Sequence, residues 1–466
     1  MNILLTHGYF IAEDPKEQEI MKPYVPLGIL CISAYLEQQG YDNLVFDSTF
    51  SSFEKLQQQL LAQRPDVIGI YTNLMTKLNV LRIIRFVKDQ KDLRHSKIIL
   101  GGPEVRNHVY NFLKSGADVL VLGEGEQTIH ELVQFFDKKS DKNIKEISGI
   151  AFLNEKQEVV KTTPRANIRN IEALPFPNRK KVNLQSYFDA WKNKHGESAI
   201  SVSTMRGCPY TCKWCSRAVY GQTYRRTSAK QVAEELAIIQ QNYSVDTIWF
   251  VDDVFTISHK WLREFADELK KRQLKIRFEC ISRSDRMNEE VIQLLKESGC
   301  FRIWIGAESG SQKVIDAMDR RVEVNQVREM IQLARKYGIQ AGTFIMVGYP
   351  GETDEDVQLT LEHLKRADPD QYTITVAYPI KGTPLYEEVE PDFMEQLPWE
   401  SSTDRQIDFK RTYSRKYYDY AVRWIYNEMA LHRLRSYGGY KLSKVAIHKI
   451  KSFASRSFMR WEMKKG

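Results

Sequence analysis

The segment Met205-Arg-Gly-Cys-Pro-Tyr-Thr-Cys-Lys-Trp-Cys215 sets Cys208, Cys212 and Cys215 in a Cys-x3-Cys-x2-Cys spacing. Thiolates are the usual protein ligands of iron–sulfur clusters. A loop this short can place three sulfurs around one face of a cubane, and no fourth cysteine lies nearby. One iron is then left for a ligand from outside the chain. By analogy with zinc, an open metal position goes with catalysis rather than structure. A structural zinc site would want a fourth Cys or His close by, and His195 is the nearest histidine upstream. A plain electron-transfer cluster takes four cysteines. Both stand as weaker readings.

The loop directly follows an apolar run at 199–204, the first strand of a zone in which strands and helices alternate. Further strands are predicted at 247–251, 276–282, 301–307, 340–347 and 372–377. Helices are predicted between them at 229–241, 260–272, 289–298, 324–337 and 354–366. Six strands are too few for a closed eight-unit barrel and fit a partial one, with chemistry at the strands' C-terminal ends. Upstream lies a second alternating zone. Its strands are expected at 1–7, 44–47, 67–71, 97–100 and 119–122. Its helices are expected at 26–39, 53–63, 78–88, 105–115 and 127–136. Such alternation predicts an α/β fold with a doubly wound parallel sheet, whose ligands bind beyond the carboxyl ends of the strands.

The pattern Cys-x3-Cys-x-aromatic-Cys after a first barrel strand, with Trp214 at the aromatic position, resembles the radical S-adenosylmethionine (SAM) superfamily. The resemblance implies a [4Fe–4S] cluster whose open iron chelates SAM by its amino and carboxylate groups. An external donor of flavodoxin or ferredoxin type supplies the electron. SAM then splits to methionine and a 5′-deoxyadenosyl radical, which takes hydrogen from an unactivated C–H of a small-molecule substrate. The cofactors carry the hard chemistry, and the protein positions them.

The other strand ends carry matching features. Asp252 and Asp253, in Phe250-Val-Asp-Asp, stand where the resemblance puts the contact to SAM's amino group. Arg283 suits a carboxylate, because guanidinium binds it bidentately. Glu308 and Ser309, in Gly306-Ala-Glu-Ser-Gly, match the position that contacts SAM's ribose and carboxylate. Gly342 and Gly348 belong to the strand that lets adenine approach the backbone. Each has a plain structural alternative: an Asp cap or turn, a surface salt bridge, or a Gly-rich turn. Their succession along one barrel makes the case.

The upstream zone resembles the cobalamin-binding domain that often precedes such barrels. The matching residues are Thr72 after the third strand, Gly101 and Gly102 after the fourth, and Gly123 and Gly125 after the fifth. Small residues there leave room for a corrin ring. The Asp-x-His-x-x-Gly motif that gives cobalt a histidine elsewhere is missing, and the second strand ends Asp47-Ser-Thr-Phe50. His7 and His108 are read as structural. Either cobalt lacks a lower histidine or the domain has lost cobalamin. Within the superfamily, runs 252–256 and 304–312 resemble the group that includes the anaerobic magnesium-protoporphyrin monomethyl ester cyclase, a group also rich in cobalamin-dependent methylases.

Four regions are expected: a cobalamin-binding-like domain (1–137), a linker (138–194), the radical SAM core (195–390) and a basic, aromatic, helical C-terminal region (391–466). Of 68 Lys+Arg and 60 Asp+Glu, 16 and 5 fall after residue 403, leaving 52 against 55 for the remainder. The positive balance is therefore the tail's. Residues 411–433 have helical spacing and suit a cover over the open side of the barrel. The basic amphipathic stretch 441–465 suits a solvated cap or an anionic membrane surface, the latter fitting a lipid or porphyrin substrate. Nucleic acid is not expected as a partner. The scattered remaining cysteines, the absence of a long apolar run and an N-terminus unlike a secretory signal point to the cytoplasm, with peripheral membrane contact as an addition. Four functions compete: cobalamin-dependent methylase, radical cyclase or oxidase, methylthiotransferase and non-catalytic sensor. Methylthiotransferases carry a second cysteine set, and the N-terminal zone has only Cys31.

Overall fold

A computed structural model describes residues 1–437 and 442–465. Lys441, at the head of the basic stretch, and Gly466 lie outside the described residues. The chain forms two compact units. One comprises residues 1–209, 216–249 and 397–403, and the other residues 210–215, 250–396 and 404–466.

The first unit is built on a seven-stranded sheet. In chain order its strands are β1 (Ile3–His7), β2 (Leu44–Phe46), β3 (Val67–Tyr71), β4 (Lys97–Gly101), β5 (Val119–Val121), β6 (Ile150–Leu153) and β7 (Val159–Lys161). Their spatial order is β2-β1-β3-β4-β5-β6-β7. The first five pair in parallel, and β6 and β7 add antiparallel strands at one edge. β1 is buried along its whole length and β3 at four of five positions. Such near-continuous apolar runs are what a parallel sheet covered on both faces requires. Leu56, Leu60, Val80, Ile83, Ile84 and Phe112 from the crossover helices pack against Ile68, Ile70, Ile98 and Leu100 of the sheet. The stretch expected as a linker therefore contributes two strands. It also contributes a helix, Leu184–His195. There Tyr187 donates from its hydroxyl to Asp47, and Trp191 donates to the Pro23 carbonyl at 2.8 Å.

Next come β8 (Ala199–Val202), the short pair β9 (Met205–Arg206) and β10 (Arg225–Arg226), and then β11 (Thr247–Phe250), β12 (Phe278–Ser282), β13 (Cys300–Glu308), β14 (Gln340–Val347) and β15 (Gln371–Val376). A six-stranded sheet runs β15-β14-β13-β12-β11-β8. The pairings β12–β13, β13–β14 and β14–β15 are parallel. This is the expected partial barrel.

Within the second unit the C-terminal helix Arg415–Tyr437 lies against edge strand β15. Tyr426 stacks on Tyr372, and Arg433 donates to the Pro369 carbonyl at 2.6 Å. Covering an edge in this way removes a template for unwanted strand pairing. Arg411, fully enclosed, donates to the carbonyls of Gly348 and Ala377, closing the ends of β14 and β15. Among the described residues no helix is long and apolar enough to cross a membrane.

Leu56 has no exposed surface in the first core. Leu56→Ala is expected to cost about 2–5 kcal/mol by lost burial and a residual cavity, read as a lowered urea midpoint.

Candidate active site

The cysteine loop begins at β9 and crosses from the first unit to the second after Pro209. Gly207 precedes Cys208 at φ +84, and a Cβ there would meet the Thr223 carbonyl at 2.5 Å. Only glycine suits that turn. Beyond Pro209 the loop is tied to the second unit at several points. Thr211 bonds Asp319. The Lys213 N–H donates to the Met318 carbonyl, and the Leu385 N–H to the Lys213 carbonyl. Trp214 packs against the cluster of Val314, Met318, Tyr349 and Leu385, so its indole anchors the loop.

Cys212 is buried, Cys208 half-buried and Cys215 exposed, and none forms a disulfide. The Cys212 sulfur lies 3.7 Å from Nη1 of Arg283 and 3.7 Å from Nη1 of Arg320. Two buried guanidiniums stand against one sulfur, a cationic surround that suits an anionic metal centre. The donor chemistry therefore fits a cluster. Among the described residues no three His, Cys, Asp or Glu side chains close into a metal-holding group; the loop gathers the cysteines along the chain without forming a coordination sphere.

Arg283 is 2% exposed. Its other donors go to Asp285 at 2.8 Å and to the Arg320 carbonyl at 2.7 Å, and it stacks on Tyr210. The residue expected to meet SAM's carboxylate thus braces the cysteine loop. Arg320, which no motif marks, stands beside it. Its Nη2 donates to the Gly306 carbonyl at 3.0 Å and lies 3.7 Å from Glu308 Oε1. A Cβ on Gly306 would sit 2.4 Å from that Nη2, so this glycine clears the path for the arginine.

Glu308 holds φ +64 at a register shift in β13. Burial raises its carboxyl pKa, with Arg320 and Arg283 opposing. A left-handed, non-glycine, buried acid is the kind of local strain that collects at functional sites. Ser309 bonds the Thr360 hydroxyl at 3.1 Å and receives the Ser311 N–H, fixing the turn. Asp252 is buried at the end of β11. Desolvation and the neighbouring Asp252 charge raise the pKa of Asp253. Buried Arg320 Nε and Ser284 Oγ have no protein partner. Such orphans call for a polar ligand or water, and SAM's charged groups fit them.

The glycines of β14 do not present open backbone. A Cβ at Gly342 would meet the Trp304 ring at 2.5 Å, and one at Gly348 the Tyr418 ring at 3.2 Å. Their missing side chains make room for aromatic rings. Past Gly348 the chain turns inward to Glu352, whose carboxylate accepts from the Gly348 N–H at 2.5 Å. Glu352 has no exposed surface, and its Oε1 has no partner.

In the first unit, Thr72, Gly101, Gly102, Gly123 and Gly125 all stand at the carboxyl ends of β3, β4 and β5 or the loops leaving them. The Thr72 N–H donates to the Gly101 carbonyl at 2.8 Å. Gly102 has φ +107, and a Cβ there would strike the Thr72 carbonyl at 2.3 Å. The Thr72 hydroxyl is buried and without a partner. Small residues beside an orphaned hydroxyl fit a corrinoid cradle. His7 bonds Asp47 at 3.0 Å, and His108 lies 3.5 Å from Glu104.

The acids of Gly123-Glu-Gly-Glu126 have a role their glycines did not announce. Glu124 pairs with Arg206 at 2.7 Å and Arg225 at 2.6 Å and accepts from the Ile168 N–H; Glu126 pairs with Arg206 at 2.5 Å. Arg206 lies two residues before Cys208. This network joins the loop after β5 to the strand that starts the cysteine loop.

Two outcomes are expected. Arg206→Met leaves Glu126 without its cation, a loss of roughly 3 kcal/mol for a mostly buried pair. Urea unfolding reads that loss, and iron analysis should show fewer iron atoms per chain after reconstitution. For Glu352, burial pushes the carboxyl up to about 8 from its usual 4.5. Between those values the folded chain keeps a proton that the unfolded chain has released. Stability then falls as pH rises through that window, by at most ~1.4 kcal/mol per pH unit. Glu352→Gln removes the slope, so unfolding midpoints compared at about pH 5 and about pH 8 should diverge for the parent alone.

Comparison with known proteins agrees with the family and fold read above. Residues 202–364 match the radical SAM superfamily, and residues 19–133 match the B12 binding domain. An uncharacterised methyltransferase of Pyrococcus horikoshii is 30% identical over 370 residues, 78% of each chain. The anaerobic magnesium-protoporphyrin IX monomethyl ester cyclase of Rubrivivax gelatinosus is 24% identical, over 80% of this chain and 67% of that one. Among solved structures, the cobalamin-dependent SAM radical enzyme OxsB with aqua-cobalamin bound superposes with a TM-score of 0.75 at 19% identity, covering 97% of this chain and 72% of that one; that likeness concerns the fold. The chain belongs to the radical SAM enzymes that carry a B12-binding domain, a family whose cofactors are a [4Fe–4S] cluster, SAM and cobalamin.

Proposed function

We propose that this enzyme is a cobalamin-dependent C-methyltransferase acting on an unactivated carbon of a small molecule, with a flavodoxin- or ferredoxin-type protein as electron donor. The observation that carries the reading is the Cys212 sulfur set between Arg283 and Arg320, in a loop that offers three thiols and no fourth. The methyltransferase relative, 30% identical over most of both chains, supports methyl transfer.

When bound, the cluster with SAM supplies a carbon radical, and the corrinoid supplies a methyl group. The chain's own residues do the rest. Cys208, Cys212 and Cys215 hold the cluster. Arg283 and Arg320 would balance the negative charge of a bound cluster's ligand sulfur. Asp252 and Asp253 accept from SAM's ammonium. Glu308 meets its polar groups from a turn that Ser309 fixes. Gly342 and Gly348 shape the adenine side indirectly, through Trp304 and Tyr418. Trp214 seats the loop against apolar neighbours and excludes water there. Thr72, Gly101, Gly102, Gly123 and Gly125 cradle the corrinoid in the first unit.

A second reading, oxidative cyclisation, rests on the likeness to the cyclase. By its name that relative acts on a porphyrin ester, and a lipid or porphyrin is the substrate class proposed here. Methyl-labelled SAM separates the two. The reconstituted, cobalamin-loaded enzyme is incubated anaerobically with reductant and SAM. Label recovered outside SAM and methionine supports methyl transfer. Formation of 5′-deoxyadenosine with all label still in SAM and methionine favours the cyclase.

A further inference from the structure

The C-terminal helix Leu442–Met463 is packed inside out. Its buried positions are Ser452, Ser455, Met459 and Glu462, which recur three and four residues apart on one face. That face meets the helix Arg415–Tyr437. Ser452 donates to Glu428, Ser414 donates to Glu462, and His448 bonds Asn427. Most of the large apolar side chains point the other way, and Phe458, at the edge of that side, stacks in part on Tyr420. Ile450 is 68%, Phe453 75% and Trp461 54% exposed, and Ile447 and Phe458 are about half exposed. With 3.6 residues per turn, Ile447, Ile450, Ala454, Phe458 and Trp461 fall on one stripe, with Phe453 at its border. A stripe of this kind ordinarily faces a core; here serines occupy the inner side.

Charge surrounds the stripe with one sign. Lys451 flanks one border, and Lys449 and Arg460 the other, all exposed. The helix has a single acid, Glu462, and it is buried. We propose that this face lies on an anionic lipid bilayer, with Ile447, Ile450, Phe453, Phe458 and Trp461 at the boundary of headgroups and acyl chains and the flanking cations at phosphates. A second copy of the same face would set lysines against lysines. An RNA would engage the cations but leave Ile450 and Phe453 in water. An anionic bilayer satisfies both features. The inference goes beyond the proposed reaction and holds whichever chemistry the enzyme performs.

The test is flotation of the full chain, carrying its cluster, with vesicles of phosphatidylcholine plus phosphatidylglycerol, against phosphatidylcholine alone. The chain is expected to float with the anionic vesicles and to be released by added salt. The double substitution Ile450→Glu with Phe453→Glu should weaken that association at least about tenfold. It should leave the thermal midpoint and 5′-deoxyadenosine formation unchanged, since neither side chain is buried. Lys449→Glu with Lys451→Glu should abolish the preference for anionic vesicles. Three results would overturn the proposal: no association with either vesicle, equal flotation of the Ile450/Phe453 variant, or a self-associated dimer that this variant dissolves without any vesicle binding. Loss of 5′-deoxyadenosine with vesicle binding intact would count against the catalytic reading alone.

Discussion

Cationic nitrogen against sulfur is the interaction on which the site depends. Arg283 and Arg320 are both buried, and each brings a nitrogen to 3.7 Å from Cys212. Buried cations are costly unless matched by anions and fully bonded. Here Asp285, Glu308 and the carbonyls of Gly306 and Arg320 supply part of that match, and a cluster held at Cys212 would supply the rest. The proposed cluster loop is thus set in a cationic surround. Its anchors at Asp319, Met318 and Leu385 hold it in place.

Other features follow from accommodating those two arginines. Gly306 lacks a side chain so that Arg320 can reach across β13. Two residues on, Glu308 takes a left-handed backbone at the register shift and turns its carboxyl toward the same guanidinium. In the first unit an analogous logic runs with the signs reversed. Two buried carboxylates, Glu124 and Glu126, are satisfied by Arg206 and Arg225, and Arg206 leads directly into Cys208. The loop after β5, expected as a cofactor contact by its glycines, is also a structural joint.

Much of this architecture was legible from residue pattern. Fully buried parallel strands such as Ile3–His7 and Val67–Tyr71 read as unbroken apolar runs, and helices such as Phe53–Gln63 carry clear punctuation. Residues 138–194 are only weakly legible, because β6 and β7 are short edge strands whose partners are set by tertiary pairing. The helix expected at 105–115 is broken at His108 into a short 3-10 turn and a shorter α-helix. The cysteine spacing points to the proposed cluster site, whereas nothing in the sequence marks Arg320, which tertiary packing brings to Cys212. The rings of Trp304 and Tyr418 stand against Gly342 and Gly348, packing that the glycine pattern alone does not reveal. Amphipathicity marked the last helix, but not that its serines would face inward.

That Cys208, Cys212 and Cys215 would leave one iron of a bound cluster for SAM is the central proposal. Electron–nuclear double resonance on the reduced cluster, with SAM labelled at its amino nitrogen, addresses it directly. The account predicts a hyperfine coupling from that nitrogen, appearing only when SAM is added. A cluster spectrum indifferent to SAM, with all four irons held by the protein, would contradict it.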